Sequence, residues 1–505
     1  MIKSSRRFHQ SARKRELYEQ LRARQAALGL KNFKRPTLPN SKSQYITAEE
    51  EAQDRQLVVE EQLKAFRVML PTLLKRLSKI KDPRNPQTTK HKLTVVLLYG
   101  ILCFVFQMSS RREANREMTR PMFLENLKEL FPELKSCPHA DTLNRLLVGL
   151  EEDVEQILDA HVELIRKFMS NKTFRRYLIE HCYTVAIDGT QKFSRDYRWS
   201  EGCLKRRVNG AEEENDQYYV YVLEADLVFA NGLVIPCLSE VLEYPDYASS
   251  LESKQDCELK AFYRLAARLK KYFPRLPIMV LLDGLYANGP VFALCKRFNW
   301  QFMIVLQDGS LPSVWEEAAG LGKLQPENTL ERTWGNRRQR FWWVNDIYYY
   351  YGQSGRKKQV LHLVVCEERW EEVDLASLKI VEKKSRHAWV SSHPLSSQNV
   401  HRRCNLLARH RWSIENNILV EKRYGYRYEH CFSYDWNAMK GFHYLMRIAH
   451  MMNTLAQRTF YLAQKVRTIG SRGLIDFFFE TLSNSYLDTR RLRDLIFANY
   501  QFRLE

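Results

Sequence analysis

Arg409 to Cys431 reads RHRWSIENNILVEKRYGYRYEHC, a stretch in which one acid stands among bases at helical spacing. Arg411, Glu415 and Lys422 follow one another at steps of four and seven residues. At about 100° per residue, Glu415 sits roughly 40° and Lys422 roughly 20° round from Arg411, so all three leave one narrow stripe. Leu407, Ile414 and Ile418 fall on the adjoining stripe, which predicts a half-buried helix with a charged edge at a rim. A solvated face stitched by ion pairs is the plainer reading. The rest of the chain weighs against it. Two further carboxylates, Asp188 and Asp283, close short apolar runs, Tyr183–Asp188 (YTVAID) and Pro277–Asp283 (PIMVLLD), each followed by Gly.

Length and composition set the bounds. A chain of 505 residues exceeds one ordinary core and predicts two to four domains. Hydrophobic residues make up 45% and aromatics 12%, enough for folded cores. The formal charge of +20 suits a polyanionic partner, nucleic acid before membrane. The ten cysteines show no C-x2-C pair and no zinc spacing, so reduced structural thiols in a cytoplasmic compartment are expected. The first 25 residues lack the apolar core of a secretory signal. The longest apolar run, Leu93–Met108, is shorter than the ~20 residues of a membrane span and predicts a buried helix. Acyl transfer, NTP hydrolysis and zinc proteolysis find no motif: there is no nucleophile elbow, P-loop or H-E-x-x-H.

In chain order, residues 1–45 form a basic arm and linker. Eleven Lys/Arg stand against Glu16 and Glu19 in residues 1–35, with a helix expected to stop at Gly29. Residues 46–175 read as a helical DNA-binding region, with a long helix over 49–80 interrupted at Pro71. Residues 176–307 alternate strands and helices. Tyr218–Phe229 and Leu233–Glu243 flank the hairpin signal Asn231-Gly232, and a helix is expected from Lys254 to Phe273. Residues 308–392 are rich in strand formers and predict a separate β-rich insertion domain. Residues 393–460 hold the charged helix and the amphipathic Trp436–Gln457, and 461–505 a helical tail. Lys205, Arg206 and Arg207 follow the first strand in an expected loop, as solvated charge or as a grip on DNA. Trp389 is a candidate for base stacking.

R-W-x-I-E-N, with a Lys seven residues after the Glu, resembles the catalytic helix of DDE transposases of bacterial insertion sequences. More narrowly, it resembles the branch carrying a Tyr-x2-Arg-x3-Glu-x6-Lys signature and the H-repeat-associated transposases. Arg411, Glu415 and Lys422 match the Arg, Glu and Lys, while Ala408 stands where the signature has Tyr. Asp82-Pro83-Arg84, the apolar run and then His139-x-Asp141-Thr142-x-Asn144-Arg145 are similar to the N-terminal region of that family, so the likeness spans about residues 65–460. It implies an α/β fold: an RNase H-like mixed-sheet core with a β-rich insertion before the catalytic helix. In that fold Asp188 and Asp283 would be neighbours and Glu415 would join them, holding two Mg²⁺ (or Mn²⁺) ions, with Arg411 and Lys422 on flanking phosphates.

The function so implied is that of a DNA transposase. It would bind terminal inverted repeats of double-stranded DNA, cut, and join a 3′-OH to target DNA, as a homodimer on DNA in a bacterial nucleoid. A domesticated non-cleaving relative, or an RNase H-like nuclease without strand transfer, remains the alternative.

Overall fold

The computed structural model describes residues 2–31, 37–207, 216–243 and 256–505, with side chains from residue 11 onward. Residues 32–36 of the expected arm and linker, and 254 and 255 of the helix expected from Lys254, fall outside them. Two compact units emerge: Met1–Thr37 with Pro277–Arg411, and Leu38–Leu276 with Trp412–Glu505.

The first unit opens with α1 (Ile2–Ala27). The second unit then supplies α2 (Ala48–Leu77), α3 (Leu93–Val105), α4 (Arg111–Glu117), α5 (Pro121–Leu130), α6 (Ala140–Gly149) and α7 (Glu155–Ser170). Strands β1 (Tyr183–Arg195), β2 (Leu204–Arg207), β3 (Asp216–Val228) and β4 (Val234–Leu242) follow, then α8 (Glu258–Tyr272). The chain re-enters the first unit as β5 (Ile278–Leu282), α9 (Gly289–Phe298), β6 (Gln301–Val305) and α10 (Pro312–Leu324). The strands β7 (Thr329–Trp334), β8 (Arg337–Tyr351), β9 (Lys357–Asp374) and β10 (Lys379–Ser391) complete that unit. It returns to the second unit as α11 (Trp412–Arg423), α12 (Trp436–Gln457), α13 (Phe460–Leu482) and α14 (Thr489–Ile496). The molecule is thus mixed α/β.

In the second unit the apolar run becomes α3, buried along nearly its whole length and packed on α12 and α6. Among the described residues no helix is long and apolar enough to cross a membrane. The long helix α2 runs unbroken through Pro71, contrary to the expected interruption. Pro71 is on the exposed side, where water can take the freed carbonyl, while Met69, Leu70, Leu73 and Leu77 stay buried opposite. The C-terminal helices pack on this bundle: Arg55 of α2 donates to Thr481 Oγ1 at 3.1 Å, and Asn126 of α5 to the Leu482 carbonyl at 2.9 Å.

The sheet of this unit is antiparallel. Strand β3 pairs with β1 from Val185↔Leu227 to Arg195↔Tyr218 and with β4 from Val228↔Val234. The Asn231-Gly232 hairpin forms as expected, with Gly232 at φ +80°, where an L side chain would be strained. Strand β1 does not end at Asp188 but continues to Arg195. The glycine after Asp188 is a packing requirement here, not a turn: a Cβ on Gly189 would meet the Tyr221 hydroxyl and Glu258 at 2.6 Å.

In the first unit the strand order is β5-β6-β10-β9-β8-β7. Strands β5 and β6 are parallel and joined by α9, a βαβ unit. Residues 308–392 are β-rich as expected, apart from α10, but they do not stand apart. Strand β10 pairs with β6 at Trp389↔Val305 to Ser391↔Met303, so the added strands extend that sheet. The basic arm is also docked. Leu17 and Leu21 are buried against Val373 and pack on Leu378 and Ile380. Arg13, Lys14, Arg15, Arg22 and Arg24 are exposed on the rest of α1, and Gly29 at φ +64° follows its end.

Candidate active site

The helix bearing Glu415 is shorter than its sequence suggests. A π-helical turn (Arg402–Leu407) and a 3-10 turn (Ala408–Arg411) precede α11, so the common stripe holds for Glu415 and Lys422 while Arg411 belongs to the preceding turn. Leu407, Ile414 and Ile418 are buried, as their spacing predicts. Arg411 is 6% exposed, whereas Glu415 is half-buried.

Alternation along β1 decides where Asp188 points. It stands in register with Glu224, and Ala186 with Asp226. Cross-strand partners share a face, so Asp188 leaves the sheet on the side of Glu224 and Asp226. That is the side α11 covers: Asn417 Nδ2 donates to Asp226 Oδ2 at 2.7 Å, and Lys422 Nζ to the Gln191 carbonyl of β1 at 3.0 Å. The opposite face carries α8, marked by Tyr221 donating to Glu258 at 2.9 Å. Asp188 is half-buried, and one of its oxygens accepts from the Gly189 N–H at 3.1 Å.

Asp283 lies in the other unit, one residue past β5. It caps a short 3-10 turn, accepting from the Leu285 N–H at 2.9 Å, and is also half-buried. Among the described residues no group of three or more His, Cys, Asp or Glu is assembled as a metal site.

Sequence reasoning missed what holds α11 in place. Arg447 of α12, fully buried, binds both oxygens of Glu421 at 2.9 and 3.1 Å and reaches Asp226 and Glu224 on β3. Asn417 and Glu421 are four residues apart, so one face of α11 is fastened to the sheet by polar bonds. His450 Nδ1 lies 2.7 Å from Glu421, and Glu224 accepts from Ser239 at 2.6 Å and from Tyr428 at 2.7 Å. Burial pushes all three carboxyls upward. For Glu224 the charges of Arg447 and His443 outweigh it, and for Glu421 those of Arg447 and His450 do, so both stay below the ordinary carboxylate range. Asp226 is the one left raised, by burial with the charges of Glu421 and Glu224 opposing its ionisation. Lys192, buried beside them, is pulled down to about 8 by desolvation. The sequence signal for this cluster is the placing of His443, Arg447 and His450 among apolar residues of the amphipathic Trp436–Gln457 helix.

The remaining candidates divide. Lys205, Arg206 and Arg207 are not in a loop but form β2, an edge strand paired to Asp216–Tyr219. Their side chains are exposed, Lys205 pairing with Asp216 and Arg206 lying 4.9 Å over the Tyr219 ring. Trp389 is 4% exposed, with the His387 ring stacked at 5.8 Å and the Arg409 guanidinium at 5.9 Å. Stacking a base on it would require those groups to leave. Arg409 is itself committed to buried Glu368, which also takes bonds from Arg337, Gln339 and Ser385. Burial raises the Glu368 pKa, but hydrogen bonding from His387 and the charge of Arg409 outweigh it and hold it at about 2.

No curated protein matches the chain. Residues 74–177, from the end of α2 through α7, match the family model described as DDE_Tnp_1-associated, which marks the chain as related to DDE-family transposases.

Proposed function

We propose that the protein is a DNA transposase whose catalytic carboxylates are Asp188, Asp283 and Glu415. The observation that carries this reading is the arrangement within the second unit: Asp188 projects from the sheet face covered by α11, the helix that bears Glu415, and Lys422 crosses from that helix to β1. The match over residues 74–177 supports it independently. The donor set fits a hard divalent cation, since all three groups are carboxylates and all three remain partly open to solvent.

Two Mg²⁺ or Mn²⁺ ions, when bound, would supply an activated oxygen nucleophile and neutralise the leaving oxygen of a phosphodiester. Asp188, Asp283 and Glu415 would hold them. The chain's own part is to fix the DNA: Arg411 and Lys422 hold phosphates flanking the scissile bond, and the exposed Lys205–Arg207 edge grips the backbone further out. Hydrolysis frees a 3′-OH, and in the joining step that oxygen forms a new P–O bond as the target strand's P–O3′ bond breaks. Paired ends call for two copies on DNA.

A supercoiled plasmid carrying the element's inverted repeats, incubated with the protein in Mg²⁺, tests this reading. Nicking, excision and joining are expected from the wild type. Glu415→Gln should abolish all three while leaving affinity for end DNA intact. Cutting without joining would leave a nuclease, and binding without cutting a DNA-binding relative. Wild-type cutting by Glu415→Gln would refute the assignment.

A further inference from the structure

The second unit contains a cavity of about 760 Å³ lined by α11, α12 and α13, which the chemistry above does not use. We propose that it binds a nucleoside phosphate, an inference independent of the transposase reading.

Its position sets it apart from Glu415. The α11 residues on its wall, Ser413, Asn416, Asn417 and Val420, and Tyr424 just past its end recur at three- and four-residue steps. At about 100° per residue that face is centred roughly 150° from Glu415, so the helix separates the two. The volume lies in the ~300–1,000 Å³ range of small-ligand sites.

Charge selects the ligand. Among the described residues, three arginines, Arg458, Arg467 and Arg472, line the cavity against a single carboxylate, Glu505. Arg467 pairs with that carboxylate, and Arg472 lies 3.8 Å from Asp476 on the exposed rim. Half-buried Arg458 donates instead to the neutral Gly232 carbonyl at 2.9 Å, and burial pulls its pKa below the usual guanidinium value against the opposing influence of Tyr177 and Glu505. A desolvated cation bonded to a neutral acceptor gains from an anion. The rest of the wall mixes apolar side chains such as Val420, Val466 and Ile475 with neutral polar ones such as Gln107, Asn416 and Thr454. Tyr424 is 52% exposed there, offering a ring on which a flat base can stack. An anionic group joined to a flat body meets both demands. A free nucleotide and a nucleotide at the end of a DNA strand share that chemistry.

An occupant would also touch the fastening of α11. Asn417 and His450 line the cavity while bonding Asp226 and Glu421.

Titration calorimetry on the full chain tests the proposal with four probes: dAMP, deoxyadenosine, inorganic phosphate and a 5′-phosphorylated single-stranded oligonucleotide. dAMP should bind at least about tenfold tighter than deoxyadenosine or phosphate, the worth of one charge-assisted bond. Binding of the oligonucleotide in competition with dAMP would name DNA as the source, and dAMP alone a free nucleotide. Arg458→Gln should weaken dAMP about tenfold and Arg458→Lys recover part of it. Should Arg458→Gln fail to fold, Arg467→Gln on the rim serves, with a smaller loss. Glu415→Gln should leave dAMP affinity unchanged, which separates this site from the catalytic one. Absence of dAMP binding at millimolar concentration overturns the proposal, as does binding indifferent to the Arg458 and Arg467 changes or lost in Glu415→Gln.

Discussion

Arg447→Met removes the one guanidinium that Glu224, Asp226 and Glu421 share. All three carboxylates are 0% exposed, so none can fall back on water. Breaking a buried ion pair from one side costs about 3–5 kcal/mol, because the remaining charge is stranded. Ser239, Tyr428, Asn417 and His450 continue to bond them, and Asp226, already raised, can take up a proton, so the lower end is expected. About 3 kcal/mol corresponds to a Tm lower by roughly 4 °C in a unit of this size. The pH dependence follows from the shifts. Glu224 and Glu421 are depressed in the native protein, so they add stability that is present above their unfolded pKa of ~4.3 and lost as pH falls through the lower native values. In the variant that holding charge is gone, burial raises both groups, and they take up protons as pH falls. Asp226, raised, has the opposite sign: its stability is complete below its unfolded value and lost as pH rises through the native one. Arg447 holds it down in the wild type, so the loss of Arg447 raises Asp226 further and adds to the same trend. The deficit should therefore shrink between pH 8 and pH 5. Urea denaturation followed by tryptophan fluorescence at both pH values measures it. A variant within about 1 kcal/mol of wild type, or a deficit that widens at pH 5, would refute the reasoning.

Two other outcomes are expected. Lys422→Ala should weaken binding to end DNA and reduce the magnitude of the slope of log K against log salt by up to about 1, read by titration at several salt concentrations; an unchanged slope removes Lys422 from the phosphate contacts. Leu21→Ala, which empties part of the seat of α1 on Val373, should cost about 2–3 kcal/mol of docking, seen as faster proteolysis within residues 11–31, whereas a freely solvated arm would be cleaved equally in both proteins.

Period and turn chemistry made much of this structure legible. The Asn231-Gly232 hairpin, the buried helix from Leu93 and the apolar stripe Leu407, Ile414 and Ile418 follow from local rules and occur where expected. The misreadings come from long-range packing. Pro71 is tolerated because one buried face holds α2 together, and Gly189 sits in mid-strand because Tyr221 and Glu258 occupy its Cβ position. Residues 308–392 look separable by composition, yet register joins β10 to β6, a pairing that spacing does not announce. Trp389 is a stacking candidate by residue type alone, and its closure by His387 and Arg409 is long-range packing that spacing does not announce.

The fastening of α11 bears on why a polar cluster occupies a core that Leu and Ile could fill. Apolar contacts through Ile414 and Ile418 are non-directional and tolerate rotation of the helix. The bonds from Asn417 to Asp226 and from Glu421 to Arg447 do not, since a rotation of one residue, about 100°, would strand buried charges. A metal-binding or phosphate-binding helix needs that constraint more than it needs the last kcal/mol. Glu415 and Lys422 serve the proposed chemistry only at one azimuth over β1. Replacing the whole cluster by apolar residues would then preserve or raise stability while lowering turnover, because the helix would keep its seat and lose its angle.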